Sequence, residues 1–140
     1  MWRASLLYGL LMLVLFLALS VVYFHLNPRC SDRKVTEAVS PDKQWTATVR
    51  ERRCGEEAPF LTHVNLRRSS EPAHYGFVSG MVTRGEIFLV EQDATAARVS
   101  VRWSSPHDLT IDCAGCSPEL LRKSDERWES IAIHYQARGR

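Results

Sequence analysis

The stretch from Leu6 to Leu26, LLYGLLMLVLFLALSVVYFHL, decides how the rest of the chain is read. It contains no Asp, Glu, Lys or Arg. At ~1.5 Å per helical residue, a run of this length crosses a hydrocarbon layer of ~30 Å. The chain of 140 residues then divides into a stub, 1–5, a transmembrane helix, 6–27, a linker, 28–36, and one domain, 37–140, of ordinary single-domain size. The competing reading is a cleaved signal peptide, with an apolar core of ~7–15 residues before a small-x-small cleavage site. Ala18-Leu19-Ser20 offers such a site, but cleavage there leaves Val21-Val22-Tyr23-Phe24 as an exposed apolar terminus. A lipoprotein signal fails as well, because Asn27-Pro28-Arg29 rather than small residues precede Cys30. The expectation is an uncleaved anchor that meets the lipid bilayer from Leu6 to Leu26. Trp2 and Tyr8 at one end, and Tyr23, Phe24 and His25 at the other, suit the two interfaces. Ser5 and Gly9 form a single small-xxx-small pair, too little for helix dimerisation. Asn27-Pro28 ends the helix, because proline disfavours a helical residue before it.

Signals for sidedness conflict. Arg29, Arg33 and Lys34 follow the span while Arg3 and the terminal amine precede it, so the positive-inside count places the domain in the cytoplasm. Long domains, however, cross largely regardless of charge. Four cysteines in so short a domain also suit an oxidising compartment, and the expectation is a domain outside the cytoplasm.

Net charge is only +2, and the signs are interleaved: Arg50, Arg52 and Arg53 surround Glu51, and Glu71 follows Arg67-Arg68. Such a surface is a solvated face rather than a phosphate-tracking stripe, so no nucleic-acid partner is expected. Beyond the linker the period changes from helical to two. Trp45, Ala47 and Val49 alternate with Thr46, Thr48 and Arg50; Phe60, Thr62, Val64 and Leu66 alternate with Leu61, His63, Asn65 and Arg67. Ile87-Phe88-Leu89-Val90 is a continuous apolar run suited to burial on both faces. Val99, Val101 and Trp103 form the clearest alternating strand, with Leu109, Ile111, Cys113 and then Ile131, Ile133, Tyr135 continuing the rhythm. Turns fall at Ser40-Pro41-Asp42, at Ser105-Pro106-His107-Asp108, at Cys113-Ala-Gly-Cys116 and, more loosely, over 69–80. Ser117-Pro118-Glu119 reads either as the cap of one short helix or as an extended strand. Together these features predict a mainly β fold, one N-terminal transmembrane helix followed by a small antiparallel β-sandwich or barrel-like domain. Its expected core is Trp45, Val49, Val64, Leu66, Ile87, Leu89, Val101, Trp103, Leu109, Ile111 and Ile133.

Cys113-Ala-Gly-Cys116 is the sharpest chemical motif. A thioredoxin-like site places its first cysteine at a helix N-terminus, where the dipole favours the thiolate. Here any helix begins after Cys116, and the βαβ setting is missing, so a structural bridge is favoured over redox work. Zinc requires four ligands, usually as two close pairs; Cys30, Cys54 and His107 are scattered singles and supply no second pair. Gly76-Phe-Val-Ser79-Gly80 lacks the G-x-S-x-G spacing of a serine elbow. Nothing selects one of His63, His74, His107 and His134 as a base, and each reads as a surface or capping residue. No phosphate loop, dinucleotide fingerprint or H-E-x-x-H occurs, and no cofactor is expected.

Ser40-Pro41-Asp42-Lys43-Gln44-Trp45 continues into Arg50-Glu51-Arg52-Arg53-Cys54-Gly55, then Thr62-x-Val64-x-Leu66, Gly85-Glu86-Ile87-Phe88 and Val99-x-Val101-x-Trp103-x-Ser105. With Cys30 ahead of the SPD turn, this order resembles a group of small bacterial secreted or membrane-anchored proteins of unknown function that share a Cys…SPDG…ERxCG…TxV pattern. The resemblance covers most of 30–135 and implies a β-rich fold and an extracytoplasmic place, with no activity attached. Two departures stand out: Lys43 occupies the glycine position of the turn, and the CAGC segment lies outside the pattern.

The expected protein is a non-enzymatic binding or envelope-assembly module on the periplasmic side of a bacterial inner membrane, with a membrane or envelope protein as partner. Its rival is a thiol-disulfide oxidoreductase using Cys113 and Cys116. Outside the cytoplasm, Cys30 is expected to bond Cys54, pinning the linker to the sheet, and Cys113 to bond Cys116. A bond between Cys30 or Cys54 and the CAGC segment needs distant strand ends to meet.

Overall fold

The computed structural model describes residues 2–27, 29–76 and 79–137. Helix α1, Trp2–Leu26, is long and apolar enough over Ser5–Leu26 to cross a membrane, with a mean hydropathy of 2.6 and no buried face. It starts before Leu6, since Arg and Ala sustain helix as readily as the apolar run does. At the other end the Asn27 backbone N–H and side-chain amide both donate to the Tyr23 carbonyl, at 3.1 and 2.9 Å. Met1 of the stub and Pro28, the expected helix stop, lie outside the described residues.

The remainder is mainly β and sandwich-like. The first sheet comprises β1 (Cys30–Val39), β2 (Trp45–Cys54), β3 (Leu61–Arg68), β4 (Glu86–Val90) and, after the second sheet has begun, β7 (Leu121–Ser124). The second, in the order β5-β6-β9-β8, comprises β5 (Val99–Ser105), β6 (Asp108–Cys113), β9 (Ile131–Ala137) and β8 (Arg127–Trp128). All pairings are antiparallel except β6 with β9. That parallel pair arises because the chain leaves β6, adds β7 to the other sheet, and returns in the same direction. A short helical turn, α2 (Ala94–Ala97), joins the sheets; Asp93 caps it by accepting from the N–H groups of Thr95 and Ala96. Both alternatives at Ser117 are realised in sequence: a 3-10 turn, Pro118–Leu120, runs directly into β7.

The segment expected as a linker is instead β1 from Cys30 onward. Its sequence, CSDRKVTEAV, lacks an apolar alternation because it is an edge strand with much of its surface exposed; what makes it a strand is its ladder with β2. Cys30 and Cys54 face each other in that ladder, 3.9 Å apart at Cα and with their sulfurs at bonding distance. Cys113 and Cys116, 5.5 Å apart at Cα, form the other close pair.

The core lies between the sheets. Trp45, Ala47, Val49, Val64, Leu66, Phe88 and Val90 from the first meet Val99, Leu109, Ile111, Ile131 and Ile133 from the second. Phe88 stacks at 5.5 Å on Tyr135. Val101 and Trp103 pack on the margin, where Trp103 Nε1 donates to the Ala38 carbonyl at 3.1 Å. Leu89 is the exception to the expected core. It pairs in register with His63 on the opposite face of the first sheet and is half-buried.

Candidate binding site

That opposite face is where the structure departs furthest from the alternation read in the sequence. His63 and Asn65, in the polar phase of β3, are as buried as Val64 between them. Register brings Asp32 opposite Arg52, Arg50 opposite His63, Thr48 opposite Asn65, and Asn65 opposite Glu86. Because side chains alternate along each strand, these residues share one face.

Asp32 is the hub, with its side chain fully buried. Its Oδ1 accepts from Arg50 Nε at 2.5 Å, and its Oδ2 accepts from the Val82 N–H at 2.7 Å. Arg50 Nη2 also donates to the Asp32 carbonyl at 3.2 Å and to the Tyr75 hydroxyl at 2.8 Å. The His63 ring lies between two carboxylates, with Nε2 3.7 Å from Asp32 Oδ1 and Nδ1 3.5 Å from Glu86 Oε2. Glu86 Oε2 accepts from Arg52 Nη1 at 2.8 Å. Neither ring nitrogen of His63 nor Arg52 Nε has a hydrogen-bond partner. Burial pushes the Asp32 carboxyl upward, but the His63 ring, the Val82 N–H and Arg50 outweigh it and hold its pKa at about 2. Burial likewise opposes the charge on Arg50, and Asp32 more than restores it, leaving the guanidinium above its ordinary value.

The cover over this cluster comes from residues 69–76 and 79–85. Several of its polar ties to the sheet run through this face: Val82 to Asp32, Tyr75 to Arg50, and the carbonyls of Val82 and Arg84 to Asn65 Nδ2 at 3.4 and 3.0 Å. Gly85 closes it, with φ +74° and its backbone so near Leu66 that a Cβ would run into the Leu66 carbonyl. Beside the cluster a recess of about 130 Å³ opens between the sheet, this segment and the turn at Trp128-Glu129. Arg68 stacks over the Trp45 ring at 4.0 Å there and pairs with Glu129 at 3.0 Å.

The CAGC motif is elsewhere and is clamped. Gln92 accepts from the Ser117 N–H at 2.9 Å and donates to the Gly115 carbonyl at 3.1 Å, and Gly115 N–H donates to the Ala97 carbonyl. Cys113 is 1% exposed, whereas an attacking thiolate needs access. No helix begins at either cysteine. His74 and His107 are exposed, and His134 lies 3.4 Å from Asp108 at the surface. The Ser79 carbonyl accepts from the Cys30 N–H at 2.8 Å rather than forming an elbow, and Phe77 and Val78 of that motif lie outside the described residues. Among the described residues no set of three or more His, Cys, Asp or Glu is placed to hold a metal ion. The sequence reading missed the Asp32–Arg50–His63–Glu86 cluster. The available signal was the matching phase of opposite charges on β2 and its neighbours, ahead of a long turn-rich segment able to cover them.

The fold and site thus define a class: a sandwich-like β domain that follows an apolar helix and carries a buried ionic face with a recess beside it. Compared with protein-family models, curated proteins and solved structures, the chain matches none of them.

Proposed function

We propose that the chain is a bacterial inner-membrane protein whose β domain stands on the periplasmic side as a non-enzymatic binding or envelope-assembly module. The recess carries this reading: the buried Asp32–Arg50 pair hydrogen-bonds the segment that walls it, a rigid arrangement suited to recognition. The apolar helix and the two cysteine pairs at bonding distance support a tether and an oxidising compartment. The likeness to small bacterial secreted or anchored proteins supports the organism class. A tether confines the domain near the bilayer, so its partner is a membrane or envelope protein.

Crosslinking of the chain in its native membrane, read by mass spectrometry, tests this. A reproducible partner crosslinked through residues at the recess is the expected result; crosslinks spread without preference over the surface reject it. Four free thiols in freshly isolated membranes would overturn the periplasmic placement. The rival thiol-disulfide oxidoreductase requires Cys113 to titrate well below the free thiol value of ~8.5 once reduced. Its burial argues against that role.

A further inference from the structure

The floor of the recess has a hydrogen bond left unmade. Thr48 and Asn65, opposite each other in register, lie there. Asn65 is 3% exposed, and although its amide nitrogen has partners, its Oδ1 has none. The walls are biased to positive charge. Arg67 is held by the backbone carbonyls of Arg68 and Glu71, and the exposed side chain of Arg84 makes no hydrogen bond or ion pair among the described residues. Glu71 and Glu129 are the acids facing Arg67, Arg68 and Arg84, while Arg50 is already held by Asp32. A guest that completes the recess brings an anion for the arginines and a donor for Asn65 Oδ1.

We propose that the recess binds a small hydroxylated phosphate: a phosphate ester with a neighbouring alcohol group. The hydroxyl donates to Asn65 Oδ1, which is closed to solvent until the segment carrying Val82 and Arg84 shifts, and the phosphate oxygens accept from Arg84 and Arg67. A volume of about 130 Å³ admits such a group and is smaller than the ~300 Å³ or more usual for sites of drug-sized ligands. The chemistry is available from a free sugar or glycerol phosphate or from a lipid headgroup. Thr48 lies six residues along β2 from Cys54, where the strand following the apolar helix is bonded, roughly 20 Å at ~3.3 Å per residue. That separation favours the free source.

This inference rests on the binding-module reading, and its test is separable from it. The full chain in neutral detergent is titrated with glycerol 3-phosphate while the fluorescence of Trp45 and Trp128, both lining the recess, is followed. A saturable change is expected, absent with glycerol and at least about tenfold weaker with methyl phosphate, which has charge but no hydroxyl. Arg84→Ala, at an exposed position without contacts to lose, weakens binding about tenfold or more. Asn65→Leu, if it folds, makes glycerol 3-phosphate and methyl phosphate bind alike. Absence of saturation, equal binding of the two esters by the unaltered chain, or an unchanged Arg84→Ala overturns the proposal. Competition by phosphatidylglycerol vesicles, and not by phosphatidylcholine vesicles, assigns the headgroup as source; no competition assigns the free ester. A chain that crosslinks a partner but ignores the ester loses this site alone; one that binds the ester but crosslinks none keeps it and loses the partner.

Discussion

The two faces of the five-stranded sheet both carry wholly buried side chains and are chemically opposite. On one, Ala47, Val49, Val64 and Phe88 are wholly covered by the second sheet. On the other, Asp32 and His63 are wholly covered too, by a single loop-like segment. The apolar face gains roughly 25 cal/mol for each Å² removed from water. On the ionic face each charge has lost its hydration and recovers it only from named partners. The difference teaches that the first face tolerates change in proportion to lost volume, while the second fails when one partner is missing.

The largest effects set the faces against each other. Phe88→Ala should cost about 3–5 kcal/mol in urea unfolding, as cavity formation in a core does. Arg50→Ala should cost a similar ~3–5 kcal/mol for another reason, the stranded Asp32 carboxylate. The double change Asp32→Leu with Arg50→Met should recover most of that loss, because both charges leave together. A double variant as unstable as Arg50→Ala alone would break the comparison.

Next come the cysteines. On the chain-entropy model the loop closed by Cys30 and Cys54, with a separation of 24, contributes about 3.5 kcal/mol. The loop closed by Cys113 and Cys116, with a separation of 3, contributes about 2 kcal/mol. Cys54→Ser should therefore lower the denaturation midpoint more than Cys116→Ser, and the reverse order would shift weight from the ionic face to the sheet junction.

Acidity probes the ionic face alone. The folded pKa of Asp32, about 2, lies below the ordinary 3.8, so its carboxylate stabilises the fold above 3.8 and loses that contribution as pH falls through about 2. The loss amounts to roughly 2 kcal/mol. Melting curves taken across this range should be visibly flatter for Asp32→Asn than for the unaltered chain; parallel curves would show that Asp32 is not the group that titrates. The smallest effect is expected at the SPD turn. Lys43 has φ 60°, a conformation that favours glycine. Lys43→Gly should be neutral to stabilising by up to about 1 kcal/mol, measured as a shift in Tm.

The apolar helix and the sandwich were legible because burial of whole sheet faces writes a period into the sequence. Trp45, Val49, Val64, Leu66, Leu109 and Ile111 were placed in the core on that period alone. The ionic face was not legible, because alternation says which residues share a face and not what covers it. His63 and Arg50 read as solvated until Val82, distant in sequence, is seen to reach Asp32. β1 was hidden for a related reason: its identity as a strand resides in β2, and its own residues carry no apolar rhythm. The parallel β6–β9 pair depends on the route of the chain between two sheets, which no local pattern records. Of the candidate site, His63 and His74 were named in advance without either being selected; Asn65 and Arg84 gain their meaning from neighbours that a linear reading does not supply.

Between the end of α1 at Leu26 and the start of β1 at Cys30 lie residues 27–29, a leash of at most about 10 Å. If α1 is anchored in a bilayer, as proposed, a domain on so short a leash cannot search the space above it; whatever it meets has to come to it. Tension along the helix enters the sheet at Cys30, directly across from Cys54. Peeling β1 from β2 under that load therefore begins only after a covalent bond has been cut, which makes the joint between helix and domain mechanically stronger than the sheet it serves.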